Sequence, residues 1–242
     1  MQIDRPSQAT LFATIDATWA PFAFHQHKGW LIREGAGGGQ RVSAATVLPG
    51  AQNNPDIGSA ADKMRSMGQK ALFMVRSSDG DLDAKLSELG YKIVDPVTIL
   101  ITPTDNLLNT APKQHHSVTA LKAPDTTAKS VWGNGGIDRP RLNVMARVKT
   151  AKTTISAGNM GVAFAACHKG IAMVHAVEVS KNHRRKGVAN ALMLGAAHWA
   201  KQQECAWLAV LTVRANTPAC ALYDRLKMKE AAAYHYRLLA LD

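Results

Sequence analysis

Residues 171–199, IAMVHAVEVSKNHRRKGVANALMLGAAHW, admit few arrangements. An apolar run of strand character, Ile171–Val179, leads through the basic loop Arg184-Arg185-Lys186-Gly187-Val188-Ala189 straight into a helix. After the loop, Val188, Ala191, Leu192, Gly195, Ala196 and Trp199 fall on one face of a 3.6-residue period, a stripe that must meet a core. A helix that begins at a glycine-bearing loop gathers unpaired backbone N–H groups and partial positive charge at one point. Such a point accepts a phosphate.

Around this unit, strand and helix patterns alternate. Residues 153–156, 161–167 and Ile171–Val179 are strand-like runs separated by Asn-Met-Gly and His-Lys-Gly turns, which predicts an antiparallel meander. A short β-type run at 117–121 precedes it, with helical stretches within 126–149 broken at Gly133-Asn134-Gly135-Gly136 and Pro140. Downstream, Trp207–Val213 reads as a buried strand, Thr217-Pro218 opens a helix that continues over 219–226, and 231–239 closes as a strand.

The first half repeats that ending more faintly. A strand at 71–75, a helix at 82–89 and a strand at 92–102 match 207–213, 219–226 and the final strand in order, and Arg76 after Val75 mirrors Arg214 after Val213. Upstream, 30–33, the turn 35–39 and 41–47 read as a hairpin, and 60–67 as a helix. Where the second half has its arginine-rich loop, the first has Gln52-Asn53-Asn54-Pro55-Asp56. A diverged repeat that lost its ligand loop accounts for this match, and so does a coincidence of α/β order. Residues 103–114, rich in Pro, Thr, Asp and Asn, read as the linker, which divides the chain into 1–110 and 115–242.

Charge singles out the second half as well. Residues 1–120 hold 11 Lys+Arg against 11 Asp+Glu, so the net +11 of the chain lies wholly in 121–242. With Arg184, Arg185 and Lys186 at the loop itself, a polyanionic ligand is expected there. A nucleic-acid surface needs an extended basic stripe with aromatic partners, so no nucleic acid is expected. Three cysteines without a Cys-x-x-Cys pair point to neither a disulfide framework nor a thiolate zinc site, and fit a cytoplasmic protein. Asp4, Arg5 and Asp16 interrupt the start of the chain, and no run approaches the ~18 apolar residues of a membrane span, so no membrane partner is expected. His25/His27 and His115/His116 lack Asp, Glu or Cys at ligand spacing, which predicts exposed loop histidines and no metal. Residues 35–39 lack the helix that follows a dinucleotide loop.

The second half resembles the GNAT superfamily of acyl-CoA-dependent N-acetyltransferases. Arg184-Arg185-Lys186-Gly187-Val188-Ala189 matches that family's Arg/Gln-x-x-Gly-x-Gly/Ala pattern between a strand and a helix. Val177-Glu178-Val179 precedes it at the family's distance, and Asn216, Ala219, Leu222 and Tyr223 match its Asn-x-x-Ala-x-x-Leu-Tyr arrangement. The resemblance spans about residues 115–242. It implies an α/β fold with a mixed sheet of GNAT type, here as two tandem halves, the first a degenerate repeat. The implied activity is an acetyl-CoA-dependent N-acetyltransferase acting on a small-molecule or peptide amine, as a monomer or homodimer. A non-catalytic acyl-CoA-binding regulatory protein is the alternative.

Each loop residue answers a need of that ligand. The N–H groups of Arg185, Lys186, Gly187, Val188 and Ala189 can converge on a pyrophosphate, Gly187 lets the backbone approach closely, and Arg184 and Arg185 add charge-assisted hydrogen bonds. The resemblance assigns the backbone of Val177 and Val179 to the pantetheine arm. Alternation puts His175 on their face of the strand and Glu178 on the other. An amine is protonated near pH 7 and must lose a proton before attacking a thioester, a task suited to a histidine of ordinary pKa near ~6.5. By the resemblance, His175 stands where family members carry a proposed general base; a core histidine satisfied by a neighbour is the plain alternative, and Glu178 is the reserve base. Tyr223 corresponds to the tyrosine that protonates the departing thiolate, with simple packing as its alternative. Asn216 either contacts the pantetheine arm or caps a helix. Leu226-Lys227-Met228 replaces the family's Leu-Gly-Phe, so the helix exit lacks its left-handed glycine, which Leu89-Gly90-Tyr91 keeps. Leu86 aligns with Tyr223, so the first half is expected to wall the acceptor pocket or brace the second half, not to bind coenzyme A.

Overall fold

The computed structural model describes residues 4–51, 55–110 and 116–239. The first half runs α1 (Gln8–Thr18), β1 (Ala23–His27), β2 (Trp30–Glu34), β3 (Ala45–Val47), α2 (Ile57–Ser66), β4 (Leu72–Arg76), α3 (Gly80–Glu88), β5 (Tyr91–Pro103) and α4 (Thr104–Thr110). The second runs β6 (Thr119–Leu121), α5 (Thr126–Asn134), α6 (Arg139–Arg147), β7 (Lys152–Ser156), β8 (Gly161–His168), β9 (Ile171–Val179), α7 (Val188–Gln202), β10 (Trp207–Val213), α8 (Thr217–Arg225) and β11 (Lys229–Leu239). Several helices start where a short polar side chain accepts an otherwise unpaired N–H: Ser7, Asp56, Asp125, Asp138 and Asn216 all do so.

Among the described residues the strands form one mixed sheet in the order β1-β2-β3-β4-β11-β5-β10-β9-β8-β7-β6. The halves exchange their closing strands. β11 pairs antiparallel with β4, β5 pairs antiparallel with β10, and β5 and β11 pair with each other at the centre. The corresponding pairs β3–β4 and β9–β10 are both parallel, so the two halves follow the same plan. The β7–β8–β9 meander is antiparallel, as its turn residues predict.

The stripe of α7 buries Val188, Leu192, Met193, Ala196 and Trp199 in a cluster with Ile155, Ala163, Val174 and Val210. On the opposite face Leu11 and Ile15 of α1 join a cluster with Ile171, Met173 and Ala209. Helix α1 of the first half therefore covers strands of the second.

Several expectations change in the structure. The linker expected at 103–114 is helical over Thr104–Thr110; Leu107 is fully buried in the α7 cluster and the Thr104 hydroxyl donates to the Cys205 carbonyl at 2.7 Å. Two leucines in seven residues show no helical period, so only their tertiary partners reveal them. Residues 111–115, including His115, and Gln52-Asn53-Asn54 lie outside the described residues. His25 and His27 lie on β1, not in loops, where they bond Glu34 (2.8 Å) and Ser59 (2.7 Å). The Sγ atoms of Cys167 and Cys205, both free thiols, come within 2.7 Å. No helix is long and apolar enough to cross a membrane among the described residues.

Candidate active site

Strands β9 and β10 pair from Ile171/Trp207 only as far as Val174/Val210. Past that point β10 stays on β5 while β9 continues on β8 to Val179, so the two strands splay. The edge of β9 at Val177 and Val179 thus has no strand neighbour on the β10 side among the described residues. An unpaired strand edge takes up an amide-bearing chain by main-chain hydrogen bonds.

The chain leaves β9 through a 3-10 turn, Lys181–His183, and reaches Gly187 at φ 85°, ψ −2°. That left-handed conformation favours glycine, and the limit is conformational: a Cβ there would meet only the His116 ring, at 3.9 Å. Arg185 is also left-handed, at φ 60°. Alternation of this kind curls successive amides toward one point. Helix α7 begins at Gly187 with no side-chain cap, so its first N–H groups remain available to a ligand. Val188 is buried and anchors the turn, with Ala189 half-buried behind it. Arg184 is tied back: its Nε donates to the Val179 carbonyl (3.1 Å) and its Nη2 to Glu178 Oε1 (3.2 Å). Arg185 and Lys186 are exposed, and His116 Nε2 donates to the Lys186 carbonyl at 2.6 Å. Uncapped amides, two exposed cations and an open strand edge fit a ligand with a pyrophosphate at one end and an amide arm at the other.

Alternation fails in the middle of β9. The β8–β9 register slips between Phe164/His175 and Val162/Glu178, and Ala176 sits at φ 51°, a β-bulge. Trp132 of α5, fully buried, holds it by donating its indole N–H to the Ala176 carbonyl at 2.8 Å. The extra residue turns Val177 and Val179 toward the α7 cluster, which also holds Ala172 and Val174. His175 stays on the other face with α1, where its ring packs on Trp19 (5.1 Å between centroids). Glu178 shares that opposite side, close against Gly135. The expectation that His175 shares a face with Val177 and Val179 is therefore corrected: His175 and Glu178 lie together, across the strand from those valines.

His175 is 3% exposed and both its nitrogens are engaged. Thr18 Oγ1 donates to the Thr14 carbonyl (2.6 Å), so it accepts from His175 Nε2–H (2.9 Å). Arg41 Nη1, which can only donate, then bonds the Nδ1 lone pair at 3.2 Å. Burial first, and the neighbouring Arg41 charge second, hold the His175 pKa well below its ordinary value, so the ring is neutral near pH 7. Glu178 keeps part of its carboxylate accessible, with 18% of its side chain exposed.

Tyr223, on α8, is buried in the cluster that holds Val174 and Val210 and against which Val177 and Val179 pack. Burial pushes its phenol up to about 12, so it carries its proton throughout the neutral range. Asn216 caps α8, its side-chain oxygen accepting from Ala219 N–H at 3.2 Å, which is the simpler of its two expected roles. Among the described residues no group of three or more His, Cys, Asp or Glu could hold a metal ion.

The first half was expected to wall the acceptor pocket or brace the second half, but the residues by which it reaches this site were not identified from the sequence. Thr18, Trp19 and Arg41 all touch His175. The signal was the glycine run 35–39, read there only as a hairpin turn. Its Gly38 packs so closely on α6 that a Cβ would fall 2.4 Å from Val144, and that approach delivers Arg41 to β9.

Comparison with known proteins agrees with this geometry. Residues 154–228 match the Acetyltransferase (GNAT) family. No curated protein matches the sequence. Among solved structures the chain is similar to a GCN5-related N-acetyltransferase from Kribbella flavida, at 16% identity over 98% of this chain and 97% of that one, with a TM-score of 0.68. It is also similar to a tandem GNAT protein from the clavulanic acid biosynthesis pathway, at 15% identity over 92% and 85% of the two chains and a TM-score of 0.59. A functionally unknown conserved protein from Staphylococcus epidermidis shares the fold at 9% identity, over 93% and 96%, with a TM-score of 0.64. Residues 154–228 therefore match the GNAT acetyltransferase family, within a fold that this chain shares along nearly its whole length with GNAT proteins, one of them a tandem GNAT.

Proposed function

We propose that the chain is an acetyl-CoA-dependent N-acetyltransferase that passes an acetyl group directly to an amine. The observation that carries this reading is the splay of β9 from β10 ending at the uncapped start of α7. The Val177 and Val179 backbone pairs with the pantetheine arm, and the amides of residues 185–189, with Arg185 and Lys186, hold the pyrophosphate. Arg184 braces Val179 and Glu178. Acetyl-CoA supplies the activated acyl group; the protein orients it and moves two protons. Glu178 takes the proton from the incoming ammonium, because its carboxylate is partly accessible whereas the His175 lone pair is held by Arg41. Tyr223 keeps its phenol protonated and gives that proton to the departing thiolate, and the second proton that the nitrogen sheds as the amide forms restores the phenol. The first half closes the acceptor side through α1 and Arg41 and binds no coenzyme A of its own. We place the activity in the cytoplasm, in a monomer or homodimer that needs neither metal nor nucleic acid.

Tyr223→Phe separates transfer from mere binding. Amine-dependent release of coenzyme A should fall on the order of 100-fold, within the range of a lost general acid, while calorimetric affinity for acetyl-CoA stays within about twofold. Unchanged release in Tyr223→Phe would remove the assigned acid.

A further inference from the structure

Arg41, half-buried, differs from the two buried arginines. Arg33 and Arg237, 4% and 7% exposed, each hold a carboxylate: Arg33 Nε and Nη2 meet the two oxygens of Asp16 at 2.7 Å, and Arg237 Nε meets Asp83 at 2.7 Å. Among the described residues Arg41 holds none. Its Nη1 donates to the neutral His175, and its Nε is shielded from solvent with no hydrogen-bond partner. The Tyr234 and Tyr236 hydroxyls lie within side-chain hydrogen-bonding reach of the guanidinium but are not carboxylates; burial first, then Tyr234, pushes the Tyr236 phenol far above its ordinary range, so it brings no negative charge near pH 7. A guanidinium whose Nε is shielded from solvent and that has no anion beside it is left with unmet hydrogen-bonding capacity, which a carboxylate would supply. The fold also goes to some length to place it. The glycine run docks on α6, with Gly37 against Pro140 and Gly38 against Val144, and the guanidinium lies over the Trp19 ring at 5.8 Å. Arg41 as a residue keeps part of its surface accessible, and it reaches the face of β9 that His175 shares with Glu178.

We propose that the acceptor amine carries a carboxylate and that Arg41 binds it beside His175, which acts as a positioning residue by fixing one arm of the guanidinium. Arg33 shows how a guanidinium in this protein holds a carboxylate, two N–H groups facing two oxygens; Arg41 would present the same fork once the ligand displaces what shields its Nε. A planar fork selects a planar anion, whereas lysine would supply only a point charge. This inference rests on the transferase reading for the word acceptor, but not for the binding of a carboxylate.

The test uses matched probes on the full chain: α- and ω-amino acids of two to six carbons, their carboxamides, and the corresponding aminoalkylphosphonates. Binding is followed by melting temperature and calorimetry in the presence of coenzyme A, and turnover by coenzyme A release from acetyl-CoA. The best carboxylate should bind about 10- to 100-fold more tightly than its carboxamide and outdo its phosphonate. Arg41→Gln should remove that preference and leave acetyl-CoA affinity unchanged, and Arg41→Lys should keep only part of it. Equal binding of carboxylate and carboxamide by the wild-type protein overturns the proposal, whether or not either variant folds. A preference for phosphonate overturns the carboxylate assignment. Carboxylate binding without coenzyme A release from any amine sinks the transferase reading and leaves this one standing; turnover of amines that lack a carboxylate as efficient as that of the amino acids does the reverse.

Discussion

Lys227 leaves helix α8 at φ 57°, where its own N–H donates to the Asp224 carbonyl and that of Met228 to Tyr223, while the corresponding exit of α3 uses Gly90 at φ 86°. The turn is the same; only the residue differs. A non-glycine residue in this conformation costs roughly 1 kcal/mol, so Lys227→Gly should raise stability by about that amount in urea titration, and Gly90→Ala should lower it similarly. His175 allows a pH test. Its folded pKa is depressed below the ordinary 6.5, so the unfolded chain binds the extra proton first. Its contribution is present above pH 6.5 and is lost as pH falls below that value. The urea midpoint should therefore drop between pH 7.5 and pH 5.5, and His175→Gln should flatten that part of the profile. For Tyr223, raised from 10 to about 12, the sign is opposite: stability is complete below pH 10 and declines as pH climbs through about 12.

At the scale of elements, the donor side depends on the loop joining β9 to α7. Gly187→Ala should weaken acetyl-CoA binding about fivefold or more, because restoring an ordinary φ turns the first amides of α7 away, while far-UV circular dichroism stays unchanged. This element was legible in the sequence. The period of α7, the turns between β7, β8 and β9, and the proline at the start of α8 are local signals, and each gives an element close to where it stands. The bulge at Ala176 was not legible, because it is held by Trp132 from 44 residues away and nothing in VHAVEV marks it. Helix α1 was missed because small and apolar residues are spread around QATLFATIDAT, leaving no stripe to read. Among the candidate site residues, 184–189 were singled out by motif and spacing and Tyr223 by the family resemblance. The orientation of His175, and the presence of Arg41 beside it, come only from packing between the halves.

On the scale of the whole molecule, the exchange of β5 and β11 makes each half incomplete without the other. Without the first half, β10 lacks its β5 partner and β11 lacks both neighbours, exposing apolar edges. Residues 116–242 made alone should be insoluble or aggregated, and co-expression with 1–110 should restore a soluble complex that binds acetyl-CoA. A soluble, monomeric 116–242 fragment would contradict the exchanged topology. The same arrangement brings Thr18, Trp19 and Arg41 of the first half against His175 of the second, on the side proposed above for the acceptor. Amine-dependent release of coenzyme A from acetyl-CoA, followed with a thiol reagent and matched by mass spectrometry of the amine, tests this account most directly. One acetylated amine is expected for each coenzyme A released; tight acetyl-CoA binding with no release across the whole amine panel would contradict the transferase function.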